Sequence, residues 1–327
     1  MSVSDIDTLL QRAGLMGSQE VGRVTPLTGG VSSDIWRVDI PGGRSVCVKR
    51  ALAQLKVAAD WQAPVSRNAY EWAWMQFAVE VVPQSVPTPL AHDEALGMFA
   101  MGFLDPVTHP VWKQQLLSGY VDVATAAAVG RVMGVLHQSS ARRPDLAARF
   151  ATDDNFHALR LEPYLVATAG RHPSLAPVLH ELVQRTAHHP MALVHGDVSP
   201  KNILVGPSGP ILLDAECAWY GDPAFDVAFC LNHLMLKRLV VPHQSAALHE
   251  SFLALLEAYF DAVTFEPRHE LEARCARLLP ALMLARVDGK SPVEYLTTGA
   301  EQDRVRAFAV PRLVRPVSSL ADISSAW

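Results

Sequence analysis

The chain has 327 residues, a formal net charge of −5, half of its residues hydrophobic and 19% charged. That length carries one large or two smaller domains with real cores, and the composition argues against disorder. The weakly acidic balance lacks the basic patch of a nucleic-acid binder, and no apolar stretch reaches the length of a membrane span. Residues 1–5 show no positive region followed by an apolar core, so a cytoplasmic protein with no secretory signal is expected. Cys47, Cys217, Cys230 and Cys275 are scattered in apolar contexts and read as reduced core residues.

Thr28-Gly29-Gly30-Val31-Ser32-Ser33 lies between two strand-like segments. Glycines let backbone N–H groups approach a phosphate closely, and serines add hydroxyl donors, although such a run is also a common turn. Residues 35–40 are rich in β-formers, Pro41-Gly42-Gly43 is a tight turn, and Ser45-Val46-Cys47-Val48-Lys49 is a second strand ending in a lysine. Tyr70, Trp74, Phe77 and Val81 make one apolar helical stripe with Glu71 beside it. Residues 91–105 read as another hairpin, closed by Asp105-Pro106. Residues 107–122 read as a linker-like crossing. From there the pattern turns helical, with helices predicted over 124–137, 176–186, 225–238, 249–260 and 270–285.

The most informative stretch is His195-Gly196-Asp197-Val198-Ser199-Pro200-Lys201-Asn202, followed after a short apolar hairpin pattern by Asp214-Ala215-Glu216. Phosphoryl transfer from a nucleotide needs a carboxylate to orient the attacking hydroxyl and oxygen ligands to hold magnesium against the phosphates. Asp197 suits the first role, and Asn202 and Asp214 suit the second. Magnesium takes hard oxygen donors and usually one or two carboxylates from the protein. Strands on either side of the turn 206–210 would bring Asn202 and Asp214 to one end of the hairpin.

His-Gly-Asp-x-x-x-x-Asn, Asp-x-Glu and Gly221-Asp222-Pro223-Ala224-Phe225-Asp226 together resemble the aminoglycoside phosphotransferase and choline kinase superfamily of protein-kinase-like small-molecule kinases. The run 214–221 and the segment 158–164 resemble the methylthioribose-kinase branch. The resemblance implies an α+β, bilobal protein-kinase-like fold. Residues 1–104 would form an N-terminal nucleotide lobe of antiparallel sheet plus helix with a hinge at its end. Residues 105–327 would form a larger, mainly helical catalytic and substrate-binding lobe.

It also implies ATP and Mg2+ as cofactors and a small hydroxyl compound as acceptor: a sugar, an aminoglycoside-like molecule or an amino-alcohol metabolite. Gly29, Gly30, Ser32 and Ser33 would cradle phosphates. Lys49 would contact the α- and β-phosphates with Glu71 behind it, Met101 and Phe103 would mark the adenine hinge, and Leu204 would lie under the purine. Asp226 would brace the catalytic-loop backbone. Glu216, where protein kinases carry glycine, supports either metal or substrate. Trp219-Tyr220 lines an acceptor pocket or is core, and Asp222 is a turn residue. Arg160, Arg286 and Asp288 are the polar candidates for the acceptor. The absence of His-Arg-Asp and Asp-Phe-Gly points away from protein substrates. The alternatives are a protein kinase and a nucleotide-binding regulatory module without turnover.

Overall fold

The computed structural model describes residues 3–27, 33–52 and 66–327. The chain opens with α1 (Val3–Arg12), an element for which no expectation was raised, although Ile6, Leu9 and Leu10 follow a helical period and are buried. Then come β1 (Arg23–Leu27), β2 (Ser33–Ile40), β3 (Arg44–Ala51), α2 (Arg67–Val81), β4 (Pro89–Asp93) and β5 (Met98–Gly102). The five strands form one antiparallel sheet in the order β1-β2-β3-β5-β4.

The period-2 alternation of β3 decides what each face meets. Val46 and Val48 join Val38, Met98, Ala100 and the apolar side of α1 in one cluster. Cys47 and Lys49 point to the opposite face, where Trp74 and Phe77 of α2 pack with Phe99. That places the strand lysine under a helix.

Residues 107–122 are not a plain crossing: they carry α3 (Trp112–Leu117), whose Trp112 and Leu116 are buried. The helical part continues with α4 (Val123–Ser140), capped by the Asp122 carboxylate, and α5 (Pro144–Arg149). A continuous helical run follows: α6 (Asp153–Phe156), a π-helical stretch (His157–Val166) and α7 (Ala167–Arg171). Next come α8 (Ala176–Ala187) and four short strands, β6 (Ala192–Val194), β7 (Ile203–Gly206), β8 (Gly209–Leu212) and β9 (Trp219–Gly221). β6 pairs with β9, and β7 with β8. The chain ends with α9 (Ala224–Val240), α10 (Ser245–Asp261), α11 (Arg268–Asp288), α12 (Gly299–Val314) and α13 (Leu320–Ser325).

α9 is buried on nearly every face, because α4, α10 and α11 all pack on it. Trp219 and Tyr220 belong to the core. Trp219 stacks on Phe156 and donates to Asp153, while the Tyr220 hydroxyl accepts from the Arg143 N–H. Asp222 is more than a turn residue: it is buried, accepts from the Ala224 N–H and pairs with Arg274 at 3.0 Å.

Candidate active site

The β7–β8 hairpin sets the geometry of Asn202 and Asp214. Gly206 faces Gly209 across the turn, and the ladder runs back through Ile203 and Leu212 to a bond from Leu213 N–H to the Asn202 carbonyl, 2.9 Å. Asn202 and Asp214 therefore sit side by side at the open end. Asn202 donates through Nδ2 to the Asp197 carbonyl at 3.1 Å, which turns its amide oxygen the other way. Asp214 holds a left-handed backbone at φ +70°, uncommon without glycine and typical of functional strain.

The Asp214 side chain is one-quarter exposed and pairs with the Lys49 ammonium, which also lies 2.7 Å from Glu71. Burial would raise the Asp214 pKa, but the Lys49 charge outweighs it and holds the carboxyl well below the usual range. Glu71, on the buried face of α2, is pushed up to about 7 by burial even with Lys49 beside it. An accessible carboxylate next to an amide oxygen is a donor set that fits magnesium.

The catalytic loop is held from below. Asp226, in the first turn of α9, accepts from the His195 and Gly196 N–H groups at 2.7 and 2.8 Å and meets His137 at 3.2 Å. The His195 ring stacks edge-on to Trp74, and its Nδ1 accepts from the Asp197 N–H at 3.2 Å. Burial lowers the His195 pKa, which suits the unprotonated Nδ1 that this bond requires. Gly196 has φ +78°, and a Cβ there would stand 2.7 Å from the Cys217 carbonyl oxygen. That geometry excludes the arginine of a His-Arg-Asp loop.

A guanidinium reaches the loop from elsewhere. Arg160, on the π-helical stretch, bonds the Gly196 carbonyl and pairs with Asp197 Oδ2 at 2.8 Å. Lys201 reaches the same oxygen at 3.1 Å. Asp197 Oδ1 is buried and has no hydrogen-bond partner among the described residues. The carboxylate thus has one oxygen clamped by two cations and the other unclaimed. The guanidinium of Arg160, an expected acceptor contact, also bonds the Leu159 carbonyl. The signal for its pairing with Asp197 is absent from local sequence, since Arg160 stands 37 positions before Asp197.

Glu216 receives the Nε of fully buried Arg67 at 2.9 Å, and its carbonyl accepts from Asn155. Its carboxylate thereby ties the turn after Asp214 to the start of α2. Asp288 accepts from Arg306 at 2.7 and 2.9 Å and lies 2.7 Å from His172. Both of its oxygens are engaged, in an ion pair that joins α11 to α12. Arg286 donates to the Tyr164 hydroxyl and to Ser291.

Met101 pairs in register with Cys47, and Phe103 lies under the Arg37 guanidinium at 4.7 Å. The Gly102 N–H is already bonded to the Thr88 carbonyl. Leu204 is buried and bridges to Val111. Ser33 begins β2, and its buried hydroxyl has no partner among the described residues. Gly29, Gly30 and Ser32 lie outside the described residues. No helix among the described residues is long and apolar enough to cross a membrane.

A model of the phosphotransferase enzyme family matches residues 23–263. Methylthioribose kinase of Bacillus thuringiensis (strain Al Hakam) is 26% identical over 226 residues, covering 61% of this chain and 56% of that protein. Methylthioribose kinase 1 of Oryza sativa subsp. japonica is 24% identical over 222 residues, 59% and 51% of the two chains. The chain spans about half the length of the curated relatives it matches. Among solved structures, an amicoumacin kinase in complex with AMP-PNP, Ca2+ and Ami is similar with a TM-score of 0.56 at 18% identity, covering 99% of this chain and 97% of the other. The ethanolamine kinase of Plasmodium vivax is similar with a TM-score of 0.57 at 10% identity, covering 94% and 86%. At such identities these structures speak for the fold alone, which is that of the protein-kinase-like small-molecule kinases. The match of the family model over most of the chain identifies its family: the chain belongs to the phosphotransferase enzyme family.

Proposed function

We propose that this chain is an ATP- and magnesium-dependent kinase that transfers the γ-phosphoryl group to a hydroxyl of a small molecule. In this reading residues 1–104 bind the nucleotide and residues 105–327 carry the catalytic loop and the acceptor site. The observation that carries it is the state of Asp197: Oδ2 held by Arg160 and Lys201, Oδ1 unpaired, and Asn202 and Asp214 adjoining it. A carboxylate fixed in this way orients an acceptor hydroxyl and accepts its proton at Oδ1.

The two clamping cations hold the rotamer of Asp197, so no reorganisation is needed when the proton moves. Magnesium held by Asn202 and Asp214 would neutralise charge on the phosphates. Lys49 supports the nucleotide phosphates, with Glu71 keeping its ammonium in place once Asp214 turns to the metal. A cytoplasmic setting accords with four free, buried cysteines.

The test is ADP formation by the purified chain with ATP, Mg2+ and a panel of sugars, amino alcohols and hydroxy acids, run beside Asp197→Asn. Turnover that requires a hydroxyl compound and disappears in the variant supports the reading. A protein that binds ATP yet consumes none with any compound would instead be a nucleotide-binding module.

A further inference from the structure

Phe229, His233 and Lys237 follow one another at four-residue spacing along α9, so they line one face of that helix. Opposite them stand Arg286, near the end of α11, and Tyr295 in the loop beyond it. Lys237 is fully buried, and its Nζ has no hydrogen-bond partner among the described residues. The face of the Tyr295 ring lies 4.6 Å from it. A ring face offsets only part of the cost of taking an ammonium out of water.

Arg286 is also buried. It donates to Tyr164 and Ser291, forms no ion pair with a carboxylate among the described residues, and leaves its Nε without a partner. His233 bonds Tyr295 through Nδ1 at 3.2 Å and leaves Nε2 unsatisfied. Three unsatisfied nitrogens thus converge around one tyrosine. The charged groups facing them are Lys113, Lys201 and Glu294, and Glu294 is taken by Lys113. The balance is strongly positive.

Native interiors rarely leave buried donors unpaired, and a cluster of them marks a place where a ligand supplies the acceptors. We propose that Lys237, Arg286, His233 and Tyr295 form an oxyanion subsite that binds the carboxylate or phosphate of an acidic hydroxyl compound, the acceptor of this kinase. The assignment rests on the function proposed above.

The cluster adjoins the chemistry. The Arg160 guanidinium that holds Asp197 lies 6.0 Å from the Tyr164 ring and 5.8 Å from the Phe229 ring. Tyr164 touches Arg286 and Phe229 touches His233. The anion subsite and the catalytic carboxylate therefore adjoin the same two aromatic rings. The acid would anchor one end of the acceptor and leave a hydroxyl at Asp197. Tyr295, half-buried, is the cover over the cluster. Burial, together with the charges of Lys113 and Arg286, brings the Lys237 amine down to about 7 against the pull of Glu294, so an incoming oxyanion would bind together with a proton.

Calorimetric titration of the full chain with inorganic phosphate, D-glycerate and glycerol at constant ionic strength tests the subsite. Saturable binding of phosphate or glycerate, absent for glycerol and weakened about tenfold or more in Lys237→Met, is expected. Methionine replaces an unpartnered buried amine with an apolar chain of similar length, and Arg286→Lys gives a second reading, with a loss of similar size, should that variant not fold. No saturable oxyanion binding, or binding unchanged in both variants, overturns the subsite. Comparison of glycerate with glycerol 3-phosphate tells carboxylate from phosphate.

ADP formation with the same compounds and ethanolamine separates the two claims. Turnover confined to glycerol or ethanolamine overturns the assignment and leaves the kinase reading intact. Oxyanion binding with no ADP formation from any hydroxyl compound removes the kinase reading and leaves an anion site.

Discussion

At the scale of single residues, the catalytic loop depends on groups distant in sequence. Arg160 and Asp226 hold Asp197 from opposite sides, one through its carboxylate and the other through the backbone before it. Asp197→Asn should fold and bind nucleotide yet lose about two or more powers of ten in turnover, the scale of a positioned general base. Retention of most of the rate at saturating acceptor would remove Asp197 from the chemistry.

Arg160→Met removes one of the two cations on Oδ2. The Asp197 carboxylate should then lose its fixed orientation, so kcat should fall about tenfold or more while the KM for ATP stays the same. Arg160→Lys should restore part of that loss, and an unchanged kcat in Arg160→Met would show that the pair only supports the fold. Gly196→Ala should destabilise the chain by about 2–5 kcal/mol in urea unfolding, because a left-handed backbone and a backbone clash add. A loss below about 1 kcal/mol would mean that the loop can shift away from Cys217.

At the scale of elements, α2 and β3 form a charge relay between the sheet and the hairpin strand bearing Asp214. The buried acid Glu71 keeps a proton up to about pH 7, where the unfolded chain loses it near its ordinary value of 4.5. Between these values the folded state binds the extra proton, so this group makes stability fall as pH rises from about 4.5 to about 7. Glu71→Gln should flatten that segment of the stability-versus-pH curve. Parallel curves for the two proteins, measured by urea unfolding at several pH values, would place the proton elsewhere.

The helices tell a similar story about their surroundings. The periods of Tyr70 to Val81 and of most later helices are legible in sequence from a broad apolar face, while α9 reads as a nearly continuous apolar run. The π-helical widening over His157–Val166 is not, since it arises from how that run packs on the catalytic loop and α9. Nor is the occupation of Asp288, whose partners Arg306 and His172 lie 18 and 116 positions away.

At the scale of the whole molecule, the proposed nucleotide site would couple the sheet to the helical part. The proposed metal pair lies on the helical side, while Lys49 reaches it from the sheet. Mg-ATP should therefore raise the melting temperature, by the equivalent of about 2.7 kcal/mol at a hundred times its Kd. Asp214→Asn should lose most of the magnesium-dependent part of that gain and keep the part seen with ATP alone. An equal magnesium effect in both proteins would exclude Asp214 as the metal ligand.

Several central helices, the hairpin pattern around residues 203–212 and the Asp197–Asn202–Asp214 constellation could be read from the sequence alone, and the fold class followed from the motifs' resemblance to a family. Periodicity and close spacing both survive in one dimension. The tertiary structure decided what those groups touch. It gave Asp197 a guanidinium from a distant helix, put Glu216 on Arg67 and spent Asp288 on a helix–helix ion pair. It also gathered Lys237, His233 and Arg286 around Tyr295. Charge pairing acts over a few ångströms in space and is indifferent to separation along the chain, so only the packed molecule could assign these partners.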